Sequence, residues 1–324
     1  PIVIVSGART PMAGLQGDFA AVQAPQLGAG AIEAALQRAG ISGDDIDEVI
    51  MGNVLGAGLG QAPARQASKG AGIPDAVGAT TINKMCGSGM KAAMFGHDLL
   101  VAGSVNVVVA GGMESMTNAP YLLPNARSGM RLGHGEVKDH MFLDGLEDAY
   151  DKGLAMGVFA EQTAQHYQFT REQQDAYAIE SLNRAQKATA DGSFAGEIAA
   201  FTVKGRKGDR VVEIDEQPGN ANIDKIPSLR PAFAKDGTVT TSNVTTAPVK
   251  TGQPIPITIN EGPDTVMSFS LTGTPAAGDS VALRPSSSLM GTIDSAIRGI
   301  TDATDSVAAS QAVGQALANI DAGM

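Results

Sequence analysis

A chain of 324 residues in which 34 Asp and Glu outnumber 23 Lys and Arg, for a net charge of −11, is a poor partner for nucleic acid or for an anionic membrane surface. One cysteine leaves no internal disulfide framework, no Cys/His cluster has the spacing of metal ligands, and no apolar run is long enough to span a bilayer. Aromatic residues make up only 4% of the chain while glycines number 40, so a core here must be built from small side chains that let elements approach closely.

In chain order, Ile2–Val5 is a β-branched run without the basic flank of a secretory signal, and it reads as a buried strand of a cytoplasmic protein. Further apolar runs at Glu48–Val54, Ala79–Met85 and Val105–Ala110 read as strands. Ala-rich stretches at Pro25–Ala39, Ala62–Gly72 and Ser88–Ala102 between them read as helices. Continuous apolar strands separated by helices predict an α/β region with a mostly parallel sheet covered on both faces. Residues 1–117 are expected to form it.

Residues 118–243 form a second region. Its first part, 118–156, is rich in Gly, Met and charge without a clean period, which predicts a long ordered loop or lid. Helices follow at Met156–His166 and from Thr170, where Thr-Arg-Glu-Gln has the form of a capping box. Ile198–Val203 and Arg210–Ile214 flank Lys204–Asp209 as a hairpin. From Val244 the texture changes again. Residues 244–285 are β-like, with a strand at Val266–Leu271, a turn at Thr274–Asp279 and a return strand at Val281–Leu283. Residues 286–324 carry narrow helical stripes, Leu289, Ile293, Ile297 and Ile300, then Val313, Leu317 and Ile320, which suit a coiled-coil-like partner.

The chemistry centres on Cys86, in Asn83-Lys-Met-Cys-Gly-Ser-Gly-Met90 between an expected strand and an expected helix. A thiol at a helix N-terminus faces backbone N–H groups and the positive end of the helix dipole, a setting suited to a nucleophilic sulfur. Gly87 and Gly89 permit a tight turn and leave room for a bulky substrate. A free cysteine can equally be a small buried apolar residue; the flanking glycines favour catalysis. Glu114 follows a buried strand and can be structural. His97 reads as a packed or half-exposed helical residue, and His134, His140 and His166 as solvated or locally bonded ones.

The Cys86 motif resembles the nucleophile motif of thiolases. Gly7-Ala-Arg-Thr-Pro11, Met51-Gly-Asn53, Gly60-Gln-Ala-Pro-Ala-Arg-Gln66, Gly111-Gly-Met-Glu-Ser-Met116, Asp144-Gly-Leu146, Met156-Gly157, Gly205-Arg206 and Leu229-Arg-Pro-Ala-Phe233 continue the likeness in order over residues 1–243. The resemblance implies an acyl-CoA C-acyltransferase acting on acetyl-CoA, acetoacetyl-CoA or longer 3-oxoacyl-CoA through a Cys86 acyl-enzyme, with ping-pong kinetics. It implies CoA contacts at Leu146, Met156 and Arg206, coenzyme A thioesters as substrates rather than tightly bound cofactors, no metal, and a homo-oligomer. From the residues alone, Lys204–Asp209 is an ordinary charged turn, and Leu146 and Met156 are core positions.

The family's second half carries an Asn-Glu-Ala motif, a Gly-His-Pro histidine that activates the nucleophile, and a second cysteine that moves a proton. No His here precedes Pro, and Cys86 stands alone, so an incomplete site and weak turnover are expected. Residues 244–324 resemble flagellin-related hook-associated proteins instead, through Gly273-Thr-Pro-Ala-Ala-Gly-Asp-Ser280 and the helical run after it. That likeness implies an alternative role as a structural piece. A gene fusion, a misassembled sequence and a deliberate chimera each fit such a junction.

Overall fold

The computed structural model describes residues 2–206 and 208–241, and the backbone of 255–261 and 264–271. The chain divides into two compact units, 1–248 and 249–324.

The first unit is organised around strand β1 (Glu48–Gly52). Its Glu-Val-Ile-Met-Gly sequence is buried over its last four residues, as a strand covered on both faces requires. Helix α1 (Ala24–Ala39) precedes it, with Pro25 in the first turn and Gly40 closing the C-terminus at φ 68°. Helix α2 (Pro63–Gly70), strand β2 (Gly78–Ile82), helix α3 (Ser88–Val101) and strand β3 (Val108–Gly112) follow. The strands form a parallel sheet in the order β2-β1-β3, with Glu48 opposite Gly78 and Val108 and Gly52 opposite Ile82 and Gly112.

Period two assigns the faces. Val49 and Met51 pack with Ile32 and Leu36 of α1 and Ala64 and Ala67 of α2. The alternate positions Gly52, Val108, Ala110 and Gly112 meet α3 through Ser88, Gly89 and Gly96. Helices therefore cover both faces, as expected from the sequence. Val49 is 0% exposed, and burying a side chain of this size contributes about 1.5–3 kcal/mol.

Ile2–Val5 departs from its expected place. The segment forms no strand, and Ile4 is 93% exposed. The reason is pairing: among the described residues the segment has no backbone partner. The chain first joins the fold just after it: the Gly7 carbonyl accepts from Arg38 Nη1 at 3.0 Å, then Arg9 N–H donates to Glu197 O at 2.9 Å and its carbonyl accepts from Ala199 N at 2.8 Å.

Beyond the sheet, β4 (Tyr121–Leu122) pairs antiparallel with β5 (Lys138–Asp139), and a π-helical turn covers Phe142–Leu146. Helix α4 is Met156–His166. Helix α5 (Arg171–Ala190) opens on the expected box: Gln173 N donates to Thr170 Oγ1 at 3.3 Å, and Thr170 N donates to Gln173 Oε1 at 2.9 Å. Strands β6 (Phe201–Val203) and β7 (Arg210–Val212) make the hairpin; they meet the turn where the apolar pattern put it and are shorter only at their outer ends. A short helix α6 (Glu216–Asn220) follows. No helix among the described residues is long and apolar enough to cross a membrane.

In the second unit, β8 (Ile255–Glu261) pairs antiparallel with β9 (Asp264–Leu271), with a register shift at Ile259/Asn260. The expected strand at Val266–Leu271 is thus paired with the segment before it. The expected turn at 274–279, the return strand at 281–283 and both helical stripes lie outside the described residues.

Candidate active site

Cys86 sits on the turn between β2 and α3, exposed, one residue before Gly87, the N-cap of α3. The turn is closed by its own bonds. Gly87 N donates to Lys84 O at 3.2 Å and Ser88 N to Met85 O at 3.0 Å. Lys84 N donates to Ser88 Oγ at 2.9 Å, and that hydroxyl donates to Met85 O at 2.5 Å. Met85 N donates to Asn83 Oδ1 at 2.9 Å. Met85 is held at φ 49°, a left-handed conformation costly for a residue with a side chain. The turn thus presents the sulfur at the positive end of a 14-residue helix dipole.

Glycines set how close α3 comes to the sheet. A Cβ on Gly52 would lie 2.5 Å from Ser88 Cβ and 2.7 Å from Gly89 N, and one on Gly112 would lie 3.2 Å from Gly89 Cα. Only at these backbone distances does the helix start rest on the carboxyl ends of β1 and β3, where a crevice opens.

That crevice has a volume of about 400 Å³. One side holds Met85, Cys86, Ser88 and Gly89. The loops after β1 and β3 supply Asn53, Val54, Leu55, Met113, Glu114 and Met116, and the π-helical turn supplies Gly145 and Leu146. Cys86 and Leu146, 60 positions apart in the chain, therefore line one cleft. Met156 and Arg206 do not. Met156 is 47% exposed at the start of α4, and Arg206 lies exposed in the hairpin turn. Neither residue is the core position that composition alone suggested: Leu146 is half-buried and lines the cleft, and Met156 faces outward.

Two polar residues organise the cleft. The Glu114 carboxylate accepts from Asn53 Nδ2 at 2.8 Å, from Val54 N at 2.9 Å and from Leu55 N at 3.1 Å, fixing the loop after β1. This is the loop-orienting role open to it from the sequence. His140 is buried rather than solvated. Its Nδ1 lies 2.6 Å from Asp144 Oδ2, and its Nε2 accepts from Ala57 N at 3.2 Å. The Asp144 partner, four residues on, is the local bond the sequence allows; the Ala57 partner is 83 residues away and carries no sequence signal. His97 lies exposed beside Asp98, and His134 and His166 are exposed as well.

The hairpin carrying Arg206 is tied to the first residues of the α/β region. Arg9 makes two bonds to the Asp215 carboxylate, at 2.7 and 2.9 Å, and one to Glu197 at 2.6 Å. The Asp215 side chain is 2% exposed. Burial pushes its carboxyl up, but the Arg9 guanidinium and the Met12 amide outweigh burial and hold it below the ordinary value.

Such a cleft, with an exposed sulfur at a helix N-terminus and Leu55, Met113, Met116 and Leu146 in its lining, suits covalent capture of an acyl group. The family model described as the N-terminal domain of thiolase matches residues 2–248. The chain belongs to the thiolase family. It is 47% identical over 247 residues to the acetyl-CoA acetyltransferase of Schizosaccharomyces pombe, an alignment covering 76% of this chain and 62% of that relative. It is 40% identical over 322 residues to the acetyl-CoA acetyltransferase of Pseudomonas aeruginosa, covering 99% of this chain and 79% of that one. The latter thiolase alignment runs on through residues 244–324. Among solved structures, the Acat5 thiolase of Ascaris suum in complex with coenzyme A matches with a TM-score of 0.68 at 40% identity, over 73% of this chain and 60% of that one. The chain thus spans about 62% of the fission-yeast thiolase and 60% of the nematode one.

Proposed function

We propose that this chain carries the nucleophilic half-reaction of a thiolase-type acyl-CoA C-acyltransferase. Cys86 as thiolate attacks the thioester carbonyl, and an Sγ–C bond forms. The tetrahedral oxyanion is met by backbone N–H groups at the start of α3. Its collapse breaks the bond from carbon to the CoA sulfur and expels CoA thiolate, leaving acyl-Cys86. The observation that carries this reading is the exposed Cys86 in a cleft that Leu146 also lines.

The same reading gives Leu146 the role of an apolar contact for CoA at the cleft. Met156, exposed on α4, and Arg206, exposed on the hairpin turn, are contacts for parts of CoA that extend outside it. A guanidinium suits the phosphates because it can bind them through two parallel hydrogen bonds. Acetyl-CoA, acetoacetyl-CoA and CoA are the substrates in view; the named activities of the relatives and the CoA complex of the nematode thiolase support that choice. Self-association belongs to this reading too, since Met90 and Val101 on α3 are largely exposed apolar side chains.

Incubation with labelled acetyl-CoA followed by peptide mass spectrometry tests the proposal. Acetyl label is expected on Cys86 and absent from Cys86→Ala. A folded chain that stays unlabelled while iodoacetamide still reaches Cys86 would sink it.

A further inference from the structure

We propose that His140 is a positioning residue that holds the two walls of the Cys86 cleft together through one specific tautomer; the inference rests on the acyl-CoA reading above. A backbone N–H can only donate, so the Ala57 amide, 3.2 Å away, needs a lone pair on Nε2. The ring proton then belongs on Nδ1, which donates to Asp144 Oδ2 at 2.6 Å. A neutral imidazole with its proton on Nδ1 satisfies both partners at once.

The two partners stand behind two adjoining walls. Ala57 lies two residues beyond Leu55, on the loop after β1. Asp144 immediately precedes Gly145 and Leu146, on the π-helical turn. These walls touch at Gly145, where a Cβ would come within 3.3 Å of Leu55 Cδ2. A third tie runs from the backbone: His140 N donates to Pro120 O at 3.2 Å. The ring, whose side chain is 7% exposed, is therefore a strut between the loop that Glu114 fixes and the turn that carries Leu146. The Cys86 turn is closed by bonds among residues 83–88 and does not depend on the strut. Loss of His140 thus weakens the grip on CoA and leaves the sulfur's own reactivity alone.

The test measures the iodoacetamide alkylation rate of Cys86 and the CoA concentration that halves it. Four chains are compared: the natural one, His140→Gln, His140→Asn and Asp144→Ala. Gln keeps an acceptor where Nε2 stood, Asn keeps a donor where Nδ1 stood, and Asp144 is half-exposed, so its removal spares the fold. Each variant severs one end of the strut. The half-protecting CoA concentration should rise roughly 2- to 10-fold, the worth of one hydrogen bond, with the alkylation rate in the absence of CoA unchanged within about 2-fold. Hydrogen exchange at the Ala57 amide should quicken in His140→Asn and stay slow in His140→Gln. The imidazole nitrogen shifts of the natural chain should report the proton on Nδ1.

A proton on Nε2, unchanged half-protection in all three variants, or no protection by CoA in the natural chain would each overturn the inference. Acyl label on Cys86 is measured separately. Protection without acetyl transfer would retire the proposed reaction and leave the strut standing.

Discussion

The Glu114 carboxylate and the Asn53 side-chain amide meet at 2.8 Å across the ends of β3 and β1, and the same carboxylate takes the two amides that follow Asn53 in the chain. One acidic side chain thereby orders three donors in the lining of the cleft that Cys86 shares.

Glu114→Gln should therefore be costly despite its small change in shape. A neutral amide offers one oxygen and turns an NH2 group toward a donor, leaving at least one N–H of the loop unsatisfied. The expected loss is about 1–3 kcal/mol of stability, read as a lower urea midpoint, together with weaker CoA protection of Cys86. A midpoint equal to that of the natural chain would show that the loop holds its shape without the carboxylate.

Gly52→Ala tests the close approach of α3. Its new methyl would meet the Ser88 and Gly89 backbone at 2.6–2.7 Å, atoms that cannot swing aside. Overpacking of this kind costs about 1–3 kcal/mol, and the Cys86 alkylation rate should change with it because the helix start must shift. Gly196→Ala, where nothing lies within 4 Å, is the matched control and should leave both readings in place.

Acid should loosen the hairpin's attachment. Asp215 is held below its ordinary 3.8 despite burial, and Glu216 is held below its ordinary 4.5 by the Asp18 and Gly14 amides. Groups with lowered folded values stabilise fully above their unfolded values and lose that contribution as pH falls through the folded ones. Stability should thus be level down to about pH 4.5 and fall below about pH 3.8. Urea midpoints across this range in the natural chain and in Asp215→Asn check the sign, since the variant should start lower and show a smaller further drop. Equal slopes in the two would remove Asp215 from the account.

What the sequence made legible depended on how local the determinant was. Val49 and Met51 announce β1 because a strand buried on both faces needs apolar residues at every position. Thr170 and Gln173 fix the start of α5 within four residues, and the glycines beside Cys86 mark its turn. Ile2–Val5 failed for the converse reason: its residues suit a strand, but a strand also needs a neighbour, and composition does not supply one. Glu114 and His140 were visible only as residue types. Their partners, Asn53–Leu55 and Ala57, arrive through the sheet from about 60 and 83 positions away. Met156 and Arg206 came from the family likeness alone, and the cleft around Cys86 does not include them.

Alkylation is the simplest probe of the sulfur. Exposed at a helix N-terminus, Cys86 should react with iodoacetamide faster in the native chain than in the urea-unfolded one. A slower native rate would mean that the fold shields the sulfur, and the nucleophile role would be lost.

Condensation asks more of the cleft than acylation does. Joining two acetyl groups requires a base to take a proton from the methyl of the second one, within hydrogen-bond reach of that carbon. Among the described residues lining the cleft, the ionisable side chains are Cys86 and Glu114. Cys86 is consumed as the acyl carrier, and the Glu114 carboxylate is committed to three donors on the loop after β1. The family's second cysteine has no counterpart in a chain whose only cysteine is Cys86. Missing one such group costs about 10²–10⁴-fold, so acetyl-Cys86 should accumulate from acetyl-CoA while acetoacetyl-CoA stays at the level of a Cys86→Ala control. Acyl label and acetoacetyl-CoA measured in the same incubation decide the matter. Acetoacetyl-CoA formed above that control would mean that a base reaches the acyl-enzyme from outside the described cleft.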